Sequence, residues 1–232
     1  MARARTAARG PAAPRAVTAA QARQLDARAA RLFKVSTRLL MENAGAGCAR
    51  VALSMWTRGS VLVCCGPGGN GGDGYVIARH LALAGVPTTV MAVGLPGPGT
   101  DAANARASWL ALCRAGLVPD APRSAGVGLV VDALLGTGVT RMVEEPMRSA
   151  IQTINALRDH KARVLSVDLP SGLCADTGAA MGAAVRAHCT ATIAAPKVGL
   201  GAASAKRYTG SVLVVPFGAP AVLTPVRARR RG

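Results

Sequence analysis

The chain is 232 residues long, half of them apolar, and carries a formal net charge of +17. That length and apolar content suit one α/β domain with short appendages and a sizeable core; with only two each of Phe, Trp and Tyr, the core is built from Ala, Val and Leu. No apolar run approaches the roughly 18 residues of a membrane-spanning helix, and the scarcity of stacking aromatics argues against sequence-specific nucleic-acid binding, leaving non-specific attraction to RNA or anionic lipid.

The charge is concentrated at the ends. Residues 1–31 hold seven Arg against one acid, Asp26, and residues 227–232 add four Arg and no acid. Met1–Ala22 is rich in Arg and Ala and free of acid, which fits an organelle-targeting presequence, although Pro11 and Pro14 interrupt an amphipathic helix there. The alternative is a plain basic leader. Residues 1–17 are set apart as this leader, 18–220 as one domain and 221–232 as a basic tail. A mitochondrion or other organelle is the expected location, and the cytoplasm otherwise. The six cysteines lack metal-like or secreted-framework spacing, as expected of buried thiols in a reducing compartment.

Thr18 is placed to cap a helix through Gln21, Leu25 and Ala29 to about Phe33. A second helix is expected from Leu39 to Met55. Strands follow at Val61–Cys65, Thr88–Val93, Gly128–Asp132, Arg163–Asp168, Thr190–Ala194 and Val212–Val215, read from continuous apolar runs. Helices fall between them at Tyr75–Ala84, Asp101–Ala115 and Pro146–Leu157. Strands separated by helices make βαβ units and a parallel, doubly wound sheet.

Ligands of such a sheet bind beyond the carboxyl ends of its strands, and three strand ends here are crowded with Gly and polar residues. The first is Gly66–Gly74, containing Gly69, Asn70, Gly71, Gly72 and Asp73. Its glycines let a ligand approach the backbone, and Asp73 is expected where a helix begins. Gly66, Gly68 and Gly71 also satisfy G-x-G-x-x-G, but no Asp or Glu lies between Gly74 and Thr100 to hold a ribose. An ordinary NAD-dependent dehydrogenase is disfavoured.

In the second loop Asp132 closes an apolar strand, where a carboxylate is expensive unless paired or bound to a cation. Gly136 and Gly138 permit a phosphate-embracing turn that Arg141 can charge. In the third, Asp168 closes another apolar strand, Pro170 stiffens the exit, and Ser171 offers a hydroxyl. Asp168 suits a general acid or base. Asn70, Asp132 and Ser171 place hard oxygen atoms at neighbouring strand ends, suited to K⁺ or Mg²⁺.

Met41–Gly45, Cys65–Gly74, Val131–Gly138, Ser166–Gly172 and Ala195–Leu200 together resemble the NAD(P)H-hydrate epimerases, the YjeF N-terminal domain family, in order and spacing from about Thr18 to Phe217. The resemblance implies a Rossmann-like three-layer α/β/α sandwich with a mostly parallel doubly wound sheet, often dimeric. It implies an isomerase that interconverts the R and S forms of hydrated NADH or NADPH. Asn70, Asp132 and Ser171 would bind one K⁺ per subunit. Gly69, Asn70, Gly71, Gly72 and Asp73, with Gly136, Thr137, Gly138, Val139, Thr140, Arg141 and Met142, would embrace the substrate. Asp168 would contact the hydrated nicotinamide as the acid–base group, and Lys197 is a lesser candidate nearby. A separate ATP- or ADP-dependent dehydratase would be the functional partner.

One departure stands out: the family usually has Asn-Asn-Gly-Gly-Asp in the first loop, and here the first Asn is Gly69. With the Arg-rich ends, it supports a second reading, a catalytically inactive relative serving as a structural subunit of a larger assembly such as an organellar ribonucleoprotein. Retention of Asn70, Asp73, Asp132, Asp168 and Ser171 argues against that reading, because an empty pocket gives no reason to keep costly carboxylates.

Overall fold

The computed structural model describes residues 14–120 and 126–219. Most of the basic leader and the whole tail at 221–232 lie outside the described residues. Helix α1 (Ala19–Phe33) opens on a capping box: Thr18 Oγ1 accepts from Gln21 N, and Gln21 Oε1 accepts from Thr18 N. Asp176 adds a carboxylate to this helix start by accepting from Ala19 N at 2.7 Å. Just upstream, Val17 pairs in parallel with Lys197, its N–H donating to Pro196 O and its carbonyl accepting from Val198 N. Leu25 and Ala29 bury the other side of α1 against Leu40, Ala44 and Phe217.

Ser36 caps α2 (Thr37–Met55). The strands are β1 (Ser60–Cys65), β2 (Thr88–Ala92), β3 (Val127–Ala133), β4 (Arg163–Val167), β5 (Cys189–Ile193) and β6 (Ser211–Val215). Between them run α3 (Gly69–Leu83), α4 (Asp101–Arg114), α5 (Met147–Asp159) and the single turn α6 (Lys206–Thr209). Every strand pairing within the sheet is parallel and the order is β2-β1-β3-β4-β5-β6. The sheet is therefore wholly rather than mostly parallel, and all six expected strands are present.

Alternate residues of the inner strands enter different layers, the period-2 signature of a sheet covered on both sides, whereas the edge strand β6 is largely exposed. Val61, Val63, Leu129, Val131 and Leu165 pack with residues of α2, α3 and α4, such as Ala52, Ile77 and Trp109. Cys64, Val130 and Val164 pack with Ala150, Ile151 and Ile154 of α5 and with Val185. Burial pushes the Cys48 and Cys65 thiols far up, so these cysteines serve as inert packing groups. Glu42 of α2 joins α3 by accepting from Arg79 and from His80, the latter at 2.9 Å.

The expected helix at Tyr75–Ala84 begins six residues earlier than its pattern suggests. Gly68 is its N-cap and Gly69 its first residue, so Asp73 lies inside α3 rather than at its start. The glycines hide this helix from a propensity reading because close packing demands them. A Cβ on Gly71 would stand 1.8 Å from Gly66 O, and one on Gly66 would stand 1.9 Å from Leu134 O. These contacts draw the start of α3 onto the ends of β1 and β3, where the ligand cavity forms.

Candidate active site

A cavity of about 810 Å³ opens at the carboxyl ends of the strands, large enough for a dinucleotide-sized ligand. Its walls come from the start of α3, the Leu134–Glu145 connection after β3, the exits of β4 and β5, and one side of α1. Of the residues singled out from sequence, Gly69, Asn70, Asp73, the whole Gly136–Met142 run and Asp168 line it. Gly71 and Gly72 do not face the cavity; they pack behind it, Gly72 against Met41 and Ala102. Asp132 and Ser171 are fully buried behind the Leu134–Gly136 wall.

Asp168 lies one residue beyond β4 in the left-handed region, at φ 66°. The expected strand thus stops at Val167, and the turn aims the carboxylate into the cavity. Few non-glycine residues adopt this conformation, and Asp is among those that tolerate it. Its amide N donates to Ala191 O at 2.8 Å, and its Oδ1 accepts from Ile193 N at 3.1 Å and from Lys197 Nζ. Lys197 Nζ also donates to Ile193 O at 2.9 Å and to Thr192 Oγ1 at 3.3 Å. All three ammonium protons are thereby engaged, in a side chain only 3% exposed. Asp168 Oδ2 has no hydrogen-bond partner among the described residues and is open to the cavity.

The Asp132 carboxylate sits among donors. It accepts from Ser166 Oγ at 2.7 Å, from Ser171 N at 2.9 Å and from Ser171 Oγ at 2.5 Å, with Leu134 N more distant at 3.4 Å. Burial raises its pKa, and the hydrogen bonds from Ser171, Ser166 and Leu134 only partly offset the rise. Asn70 packs against Gly136, and its Nδ2 is buried without a partner, an orphan donor that protein interiors rarely tolerate.

Two further carboxyls reach the same space. Burial first, then the charges of Asp168 and Asp26, push Asp73 well above the usual aspartate range, against the pull of Lys197. Asp26 of α1 is pushed up the same way, by burial and then by Asp168. Sequence reasoning missed Asp26 and its neighbour Arg23 as cavity residues. A signal was present: Asp26 is the sole acid in residues 1–31 and lies four residues after Ala22, on one side of an amphipathic helix.

The wholly parallel sheet, the glycine-built approach of α3 to two strand ends, and a cavity bearing a locked carboxylate define an α/β domain with a nucleotide-sized cavity at its switch point. Residues 37–199 match the family described as YjeF-related protein N-terminus. An NAD(P)H-hydrate epimerase of Rhodopirellula baltica is 37% identical over 210 residues, 88% of this chain and 84% of its own length. One of Levilactobacillus brevis is 33% identical over 205 residues, 88% of this chain and 94% of its own length. A bifunctional NAD(P)H-hydrate repair enzyme of Salinibacter ruber is 38% identical over 217 residues, covering 83% of this chain but 39% of its own length. The crystal structure of the yeast protein ynu0 superposes with a TM-score of 0.67 at 23% identity, over 80% of this chain and 82% of that one, and supports the fold. The chain belongs to the YjeF N-terminal domain family, the family of the NAD(P)H-hydrate epimerases, which are isomerases.

Proposed function

We propose that this chain epimerises hydrated NADH and NADPH, with Asp168 as an acid–base group. The observation that carries the reading is the Asp168–Lys197 pair: one carboxylate oxygen is fixed by the ammonium and the Ile193 amide, and the other is presented to the cavity. The substrate carries a hydroxyl on the ring carbon beside nitrogen, a hemiaminal that loses and regains water. A carboxyl held in one orientation can protonate the departing hydroxyl or take the proton of the returning water. The Gly136–Met142 loop would embrace the substrate's phosphates, Arg141 contributing charge. Asp73 and Asn70 would contact the substrate from α3.

Asn70, Asp132 and Ser171 fit a K⁺ ion. Their amide, carboxylate and hydroxyl oxygens are hard ligands, and Asp132 is a buried carboxylate that a cation would compensate. The ion would supply positive charge beside the substrate-binding loop.

The partner reaction that consumes one epimer would be an ATP- or ADP-dependent dehydration. Relatives named as bifunctional repair enzymes fit such a partner, whether separate or fused. Homodimerisation and import into a mitochondrion belong to the same proposal.

The test is epimerisation of purified R-NADPHX, followed chromatographically with and without K⁺, beside an Asp168→Asn control. Turnover above the spontaneous rate, dependent on Asp168, is the expected result. A folded wild-type protein with no acceleration overturns the reading.

A further inference from the structure

Epimerisation requires water to leave one face of the ring and return to the other. Asp168 cannot follow the ring across. Its backbone is tied to Ala191, its Oδ1 is held by Ile193 N and Lys197, and Lys197 is itself tied to Ile193 O and Thr192 Oγ1. A group serving the second face must come from a different element. α1, packed against Leu40, Ala44 and Ile193, is that element. It lies outside the sheet, is anchored by Val17 and Asp176, and presents Ala22, Arg23 and Asp26 to the cavity.

We propose that Asp26 is the second proton-transferring carboxyl of the cavity, acting on the ring face opposite Asp168. The inference rests on the epimerase reading and deepens it. In one direction Asp26 gives its proton to the ring hydroxyl. The C–O bond breaks, water departs, and the nitrogen lone pair forms a C=N bond. A water then adds from the Asp168 side, its oxygen bonding to the ring carbon. The C=N electrons return to nitrogen, and the water's surplus proton passes to Asp168. One proton is given and one taken, so each turnover ends with the carboxyls in exchanged protonation states, ready for the reverse reaction.

The electrostatics of the wall agree with this division. The charged groups around Asp26 are Asp168, Asp73 and Lys197 on facing elements, with Arg23 on its own helix. Burial and the Asp168 charge favour the protonated form of Asp26, against the smaller pull of Lys197. Asp73 is less suited to the role, because it sits within the α3 segment that approaches the substrate and is more strongly desolvated.

The test follows inversion and oxygen exchange together. Full-length wild type, Asp26→Asn, Asp26→Glu and Asp73→Asn proteins are incubated with each pure epimer of NADPHX in H₂¹⁸O. Wild type should couple each inversion to uptake of one ¹⁸O. Asp26→Asn should lose inversion by about 100-fold or more in kcat, with KM little changed, and should lose one limb of the pH–rate profile. It should still exchange ¹⁸O with retention into the epimer whose hydroxyl faces Asp168. Asp26→Glu should recover part of the inversion. Full inversion by Asp26→Asn with an unaltered pH profile, a change confined to KM, or loss of exchange and inversion together would each overturn the role of Asp26. So would Asp73→Asn alone showing exchange without inversion. Wild type showing neither inversion nor exchange defeats the epimerase reading itself, and this inference falls with it.

Discussion

Lys197 Nζ donates to the inner oxygen of Asp168 and leaves the outer oxygen facing the cavity. Lysine and aspartate here form an orienting device as much as an ion pair. The lysine has no proton left for a substrate, so its contribution is to hold the carboxylate's direction.

Replacing Lys197 by Met should therefore abolish turnover and also destabilise the fold. Breaking a buried pair by removing one partner typically costs about 3–5 kcal/mol, because the remaining charge is left uncompensated. Thermal melting and kcat/KM of Lys197→Met should both fall. The Lys197→Met/Asp168→Asn double variant should regain much of the melting temperature while remaining inactive. A double variant no more stable than the single one would show that the lysine acts through packing alone.

Asp73 should carry the opposite signature. Its folded-state pKa is raised, so between the ordinary aspartate value and that raised value the native state binds more protons than the unfolded state. Stability accordingly falls as pH rises through the window. Asp73→Asn removes the buried titrating carboxyl and should melt higher than wild type near pH 7.5, with the gap closing as pH falls below about 4, where aspartate becomes protonated in the unfolded state as well. Its activity should drop. An unchanged melting temperature across that range would mean that the carboxylate is not destabilising in the folded protein.

Ser166 has a narrower task, donating to Asp132 Oδ2 inside the sheet. Ser166→Ala leaves a fully buried carboxylate oxygen with one donor fewer. The loss should be about 1.5–3 kcal/mol, or roughly 2–4 °C in melting temperature for each kcal/mol in a domain of this size. Calorimetry of the single variant is sufficient to check it.

Gly69 is the departure from the family pattern, and the structure shows no steric demand for it. A Cβ there would meet nothing within 4 Å, and the residue is the first of α3, facing the cavity. Gly69→Asn should fold at least as well as wild type, since glycine in a helix costs up to about 1 kcal/mol. It should lower KM for the hydrated cofactor through one added amide, an effect of order 1 kcal/mol or about fivefold. Steady-state kinetics of the two proteins decide it, and a higher KM would mean that the open space serves the ligand.

The sheet was legible because its strands are long apolar runs separated by helical segments, and a covered parallel sheet leaves no other pattern. Asp132 and Asp168 were legible for a related reason: a charge at the end of an apolar strand is costly enough to call for an explanation. Three things were not. The start of α3 was masked by glycines whose purpose is contact with Gly66 and Leu134, a tertiary demand with no local trace. The left-handed turn at Asp168 is enforced by bonds to Ala191 and Ile193, residues on the neighbouring strand. Asp26 lies on a helix more than 100 residues from Asp168, and only the anchoring of α1 by Val17 and Asp176 brings it to the cavity.

That anchoring also limits how far the N-terminal segment can be trimmed. Val17 brackets Lys197 through hydrogen bonds to both of the lysine's neighbours, Pro196 and Val198, so the backbone behind the orienting lysine is partly built from the N-terminal segment. A cut beyond Val17 would loosen the lysine's footing, and the extent of tolerated trimming is set by the chemistry of the site rather than by the edge of the helix.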